Sequence, residues 1–178
     1  MPEPWLILRV PEGSVFLYAM PSGEHLKKWP LKVLGQILKQ EKIHIITSSS
    51  GKPFLPPGMG FANWSNSKGE CVLAYSKECD VGIDLEFYKE KNFEAISKRF
   101  FAEGEVAKKA ETFYPLWTKK EAYYKCMGGE FFSVIKNGLY PNAKIWNLQG
   151  MYKEKHEIAL CVRSGLINFD TVFLEDGV

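Results

Sequence analysis

The apolar period of the chain changes at Glu86. Before it, "PWLILRV", "SVFLYAM", "GECVLAYS" and "CDVGIDLE" alternate as strands do, broken by Pro/Gly turn signals. One helical segment interrupts them: "PLKVLGQILKQE" spaces Leu31, Leu34, Ile37 and Leu38 by threes and fours, and Pro30 suits a first helical turn. "KIHIIT" reads as a short strand, "FANWSNS" as extended or turn-like, and "SSSGKPFLPPGMG" as a rigid Ser/Gly/Pro loop. After Glu86 the reading is helical, with "NFEAISKRFF", a short "AEGEVAKKAE" and then "YPLWTKKEAYYKCM", ended by "GGEFF". "AKIWNLQG", "HEIALCVRS" and "NFDTVFLE" return to strands. Strands around helices, in both halves and without a sequence repeat, with antiparallel turns, favour an α+β or mixed α/β fold with small sheets.

With 178 residues, 46% hydrophobic and 25% charged, the chain can bury a real core as one domain or two closely packed halves. A net charge of +2 gives no argument for nucleic acid. The cysteines (Cys71, Cys79, Cys126, Cys161) and histidines (His25, His44, His156) are isolated, so no zinc pattern arises and reduced buried thiols are expected. "MPEPWLILRV" lacks the basic flank and cleavage site of a signal peptide, and no apolar run reaches spanning length. A cytoplasmic protein without membrane or nucleic-acid partners is the expectation.

The chemistry concentrates in three stretches. In "VGIDLE", strand alternation sends Asp84 and Glu86 to one face and Val81, Ile83 and Leu85 to the other. Positions two apart on a strand lie about 6.6 Å apart. Two carboxylates at that separation repel by roughly 2.5 kcal/mol at an effective dielectric of about 20. On a wet strand end this means little. In a cleft it calls for a cation, and Mg²⁺, held by one or two carboxylates and substrate phosphates, suits it. In "WTKKEAYYK", Trp117, Glu121 and Lys125 form one helical stripe. It is either a surface Glu–Lys pair beneath a core tryptophan, or a third carboxylate and a phosphate-facing cation. In "GKPFLPPGMGFANWSNSKGE", Lys52, Asn63, Ser65, Asn66 and Ser67 offer either a wet turn or a surface for nucleotide phosphates.

Taken in order, Gly51-Lys52-Pro53, "NWSNS" at 63–67, Gly82-Ile83-Asp84-Leu85-Glu86, "FFAEGE" at 100–105 and "WTKKEAYYK" at 117–125 resemble the 4′-phosphopantetheinyl transferases, in particular the surfactin-synthetase-activating (Sfp-like) type. The likeness covers residues 51 to about 130; the flanks match in pattern only. It implies transfer of the phosphopantetheine arm of coenzyme A to a serine of an acyl or peptidyl carrier protein. Adenosine 3′,5′-bisphosphate would leave. It further implies Asp84, Glu86 and Glu121 as ligands of Mg²⁺ (or Mn²⁺), with Glu121 and Lys125 catalytic. Lys52, Ser65, Asn66, Lys120, Lys125 and Lys28 would bind coenzyme A. Asn66 stands where the family carries a histidine, so it can hydrogen-bond but bears no charge. The implied architecture is two similar halves, 1–82 and 83–178, about a pseudo-twofold axis with the site between them, as a monomer. Two other readings use the same residues: a catalytically impaired coenzyme A- or carrier-binding homologue, and another Mg²⁺-dependent phosphohydrolase.

Overall fold

The computed structural model describes residues 2–10, 13–48, 52–128, 131–137, 143–148, 152–163 and 173–175. Its layers run helix, sheet, sheet, helix. The first sheet has five strands in the order β10-β1-β2-β6-β5, all antiparallel. They are β1 (Leu6–Val10), β2 (Gly13–Ala19), β5 (Phe61–Ser67), β6 (Glu70–Ser76) and β10 (Phe173–Glu175). The second sheet orders β7 (Val81–Phe87), β9 (His156–Arg163) and β8 (Ala143–Asn147) as β7-β9-β8, again antiparallel. A two-stranded ribbon, β3 (Ile46–Thr47) with β4 (Pro53–Phe54), stands apart.

Alternation assigns the faces. Leu6, Leu8, Val15, Leu17, Val72 and Ala74 of the first sheet meet Val81, Ile83, Leu85, Ile158, Leu160 and Val162 of the second in one apolar layer. The opposite face of the first sheet, with Tyr18, Leu73 and Tyr75, packs on α1 (Trp29–Leu38) through Trp29, Val33 and Leu34. The outer face of the second sheet receives α3 (Ala110–Met127), whose Ala122, Tyr123 and Cys126 pack on Ala159 and Cys161. An aromatic cluster including Phe93, Phe101, Phe113 and Tyr114 joins α2 (Phe93–Phe100), α4 (Phe131–Asn137) and the first half of α3.

The expected α+β class with small antiparallel sheets is what the chain adopts. Several local expectations differ. "AEGEVAKKAE" is not a helix of its own: residues 102–109 form a loop and only Ala110 and Glu111 are helical, as the start of α3; Gly104 takes φ 88°, and Glu105 Oε2 accepts from Ala102 N at 3.0 Å, folding the segment back on itself. Ala107 N donates to Ser97 Oγ at 3.1 Å and fixes this loop against α2. "GGEFF" does not close the helical stretch, because Phe131 opens α4, anchored by Tyr124 and Trp117. Of "KIHIIT" only Ile46–Thr47 pairs as strand, and "FANWSNS" is a full seven-residue strand. Of the expected final strand, residues 173–175 pair with β1, while residues 168–172 lie outside the described residues.

Candidate active site

Helix α3 reaches β7 because position 82 has no side chain. A Cβ there would lie 2.2 Å from the Ala122 carbonyl oxygen and 2.4 Å from Cys126 N, far inside contact distance. Gly82, Asp84 and Glu86 share the outer face of β7, so the helix that seats on Gly82 brings its next row, Glu121 and Lys125, against the two acids. Val81, Ile83 and Leu85 line the inter-sheet core on the other face, as alternation predicts.

The free edge of β7 is covered by side chains of β5. Asn63 Oδ1 accepts from Ile83 N at 3.1 Å, and Ser67 Oγ accepts from Phe87 N at 3.0 Å. Between them, Ser65 Oγ donates to Asp84 Oδ1 at 2.9 Å. Lys125 Nζ lies 2.6 Å from the same Asp84 oxygen and 2.9 Å from Ser65 Oγ. Asp84 is buried, and its second oxygen, Oδ2, has no partner. A buried carboxylate oxygen without a donor costs free energy unless something else satisfies it.

Electrostatics gather the other acids round this point. Glu121 is pushed up to about 7, first by burial and then by the charges of Asp84 and Glu86, with Lys125 pulling the other way. Glu86 is also raised, mainly by burial and then by Asp84, against the pull of Lys91, Trp117 and Lys125. The Trp117 indole N–H favours the Glu86 carboxylate from nearby without closing an aligned hydrogen bond. Among the described residues, no three His, Cys, Asp or Glu side chains stand together as a set of metal ligands. The acids interact through space while Lys125 supplies the counter-charge at Asp84.

A cleft of about 460 Å³ opens beside Lys125, lined also by Lys52, Pro53, Asn63, Trp64 and Tyr124. Lys52 is committed there: its Nζ pairs with Asp80 Oδ2 at 2.6 Å and with the Cys126 carbonyl near the end of α3. The other residues singled out by sequence are spread more widely. Asn66 is exposed, and strand alternation turns it to the face opposite Ser65. Lys28 is exposed at the start of α1, on the far side of the first sheet. Lys120 is fully buried, with its Nζ 2.7 Å from Glu105 Oε2 and 2.7 Å from the Ile135 carbonyl. Gly51 lies outside the described residues.

Four features escaped the sequence reading. Gly82 is the seat of the helix, and Asn63 with Ser67 closes the β7 edge; the alternation of Asn63, Ser65 and Ser67 is a signal that could have shown the latter. Glu105 is the partner of Lys120. Glu157 is fully buried and stands opposite Glu86 across the β7–β9 pair.

The sequence profile of the 4′-phosphopantetheinyl transferase superfamily matches residues 80–160, the span from the start of β7 through most of β9. The 4′-phosphopantetheinyl transferase AcpT of Escherichia coli is 29% identical over 129 residues, covering 65% of each chain. The 4′-phosphopantetheinyl transferase gsp of Aneurinibacillus migulanus is 34% identical over 120 residues, covering 63% of this chain and 48% of that protein. HetI of Nostoc, also a 4′-phosphopantetheinyl transferase, is 34% identical over 94 residues, covering 45% and 39%. The matches thus span less than two thirds of the relatives' own lengths. The profile spans the strand–helix unit that carries Asp84, Glu86, Glu121 and Lys125, and there the chain is similar to the 4′-phosphopantetheinyl transferase superfamily.

Proposed function

We propose that the protein transfers the phosphopantetheine arm of coenzyme A to a serine of an acyl or peptidyl carrier protein, as an enzyme of the Sfp-like type. The reaction breaks the diphosphate linkage of coenzyme A. The serine oxygen bonds to the pantetheine-side phosphorus, and the electron pair of the broken P–O bond leaves with adenosine 3′,5′-bisphosphate. Such chemistry asks the protein mainly for positioning and charge stabilisation.

The observation that carries this reading is the Asp84 carboxylate. One oxygen is held by Ser65 and Lys125, and the other is buried without a partner beside two further acids raised by burial and mutual repulsion. This donor set fits a hard, oxygen-seeking divalent cation. Mg²⁺ typically takes one or two carboxylates and completes its shell with water and substrate phosphates, so a finished cage of three protein ligands is not required. Asp84, Glu86 and Glu121 would hold it. When bound, it supplies charge neutralisation at the diphosphate. Lys125, at the border of the acid group and the cleft, contacts a diphosphate oxygen and stabilises charge on the leaving phosphate. Glu121, as its carboxylate, accepts the proton of the carrier serine.

The cleft lined by Lys52, Trp64, Tyr124 and Lys125 takes the nucleotide end, with Trp64 and Tyr124 as its aromatic walls. Ser65 serves this site through Asp84. Lys120, bound to Glu105, acts by fixing α3 and not on the diphosphate. A cytoplasmic monomer built of halves 1–82 and 83–178 belongs to the same proposal.

Intact-mass analysis of several carrier proteins after incubation with coenzyme A and Mg²⁺ tests the reading. The expected result is addition of one phosphopantetheine that disappears with chelator. Release of nucleotide with water as the acceptor and unmodified carriers would overturn it.

A further inference from the structure

Glu157 is the one fully buried acid among the described residues, and the side chains that hydrogen-bond to it, Tyr88 and Asn147, are neutral. Tyr88 Oη donates to its Oε2 and Asn147 Nδ2 to its Oε1, both at 2.7 Å. Burial and the carboxylate itself raise the Tyr88 hydroxyl, which keeps it a donor. Each partner continues to α3. Asn147 Nδ2 also donates to the Pro115 carbonyl at 3.3 Å, and the Tyr88 ring stacks on Tyr114 with centroids 4.7 Å apart and planes 9° apart. Tyr114 in turn bonds both backbone groups of Lys89, just past the end of β7.

A buried carboxylate is costly, and an apolar residue would fill the space on β9 at less expense. What it provides is a fixed geometry: one acceptor ties β7's end, β8 and β9 to the helix at two adjacent residues. Trp117 follows Pro115 by two positions and borders Glu86, and Glu121 lies one turn further on. Glu157 and Glu86 are directly paired across the strands, so the tie is anchored at the level of Glu86.

We infer that Glu157 is a positioning residue, which through Tyr88 and Asn147 sets where the Trp117–Glu121 face of α3 stands against Glu86. Its consequence for cation binding rests on the function proposed above; the placement of the helix does not.

The test uses full-length protein carrying 5-fluorotryptophan, with the Trp117 signal assigned by Trp117→Phe and Trp29 on α1 as internal control. Glu157→Leu and Tyr88→Phe are expected to move the Trp117 fluorine resonance and leave Trp29 unmoved. Half-saturation by Mn²⁺, read by electron paramagnetic resonance, should rise about tenfold, the usual size of effect for residues that hold ligands in place. Glu157→Gln can still accept from Asn147 and donate to the Tyr88 oxygen, so it should remain within about twofold of wild type for Mn²⁺. Lowered melting temperature with the Trp117 resonance unmoved in both variants would overturn the inference. Should Glu157→Leu fail to fold, Tyr88→Phe, which keeps the ring stack, decides alone. Wild-type protein that binds no Mn²⁺ would contradict the proposed function, while the fluorine shift would still settle the positioning claim.

Discussion

Lys120 and Lys125 leave the same helix five residues apart and make ion pairs of nearly equal length, 2.7 Å to Glu105 and 2.6 Å to Asp84. Their surroundings differ in kind. Around Lys120 the partners are complete: Glu105, the Ile135 carbonyl and the face of Phe101 enclose an ammonium that is fully buried. Around Lys125 the account is left open: the lysine is 23% exposed, borders a cleft, and shares a carboxylate whose other oxygen has no donor. The first pair holds the 101–109 loop and α4 to α3. The second holds charge at the border of an open cleft. Ion-pair length alone does not separate structure from chemistry; the unspent bonding capacity around the pair does.

Mutations that affect one pair and spare the other sharpen this contrast. Glu121→Gln and Lys125→Ala should lower carrier modification by two to three orders of magnitude, about 3–4 kcal/mol of transition-state stabilisation, and in Lys125→Ala the loss of the Asp84 counter-charge should lower the melting temperature as well. Single-turnover mass kinetics beside a thermal melt would read both. Lys120→Met should lower stability and spare turnover. Leaving Glu105 unpaired costs about 2–4 kcal/mol of stability by denaturant unfolding, while turnover at low temperature persists. Gly82→Ala should strike both regions at once, because a Cβ cannot fit beneath Ala122 and Cys126. A cost of about 1–3 kcal/mol is expected together with reduced turnover; a neutral Gly82→Ala would mean that the helix does not seat there.

A smaller effect is electrostatic. The Glu121 carboxyl is raised in the fold relative to the unfolded chain, so its contribution to stability is complete below the ordinary glutamate range near 4.5 and is lost as pH rises through about 7. In chelator the melting temperature should therefore fall across that window, and Glu121→Gln should flatten the fall. Cation binding near pH 6 should release a proton, visible as a calorimetric heat that depends on the buffer's ionisation enthalpy.

The strand–helix pair at the centre of the site was legible in the sequence because its period is regular. Alternation placed Asp84 and Glu86 opposite Val81, Ile83 and Leu85, and the fourfold spacing aligned Trp117, Glu121 and Lys125. Contacts between elements were not legible. Lys120 and Lys125 look alike in the string "KKEAYYK", and only packing shows that one meets Glu105 and the other Asp84. Lys52 could be placed near the site but not paired, since Asp80 and the end of α3 meet it through tertiary structure. Glu157 sits in "HEIALCVRS" as an ordinary polar residue at a strand start. Its burial follows from α3 covering that face, which no local pattern encodes. The helical expectation failed over residues 102–109 because Gly104 turns left-handed and Glu105 caps the turn backwards, where composition alone favours helix.

The central claim is that Asp84, Glu86 and Glu121 share one divalent cation facing the diphosphate. Anomalous diffraction from a crystal grown with Mn²⁺ and coenzyme A tests it most directly. The account predicts one strong peak at ligating distance from Asp84 Oδ2, with Glu86 and Glu121 turned toward it and Lys125 moved onto a phosphate oxygen. Bound coenzyme A with no metal peak at Asp84, and Lys125 still paired to its carboxylate, would contradict it.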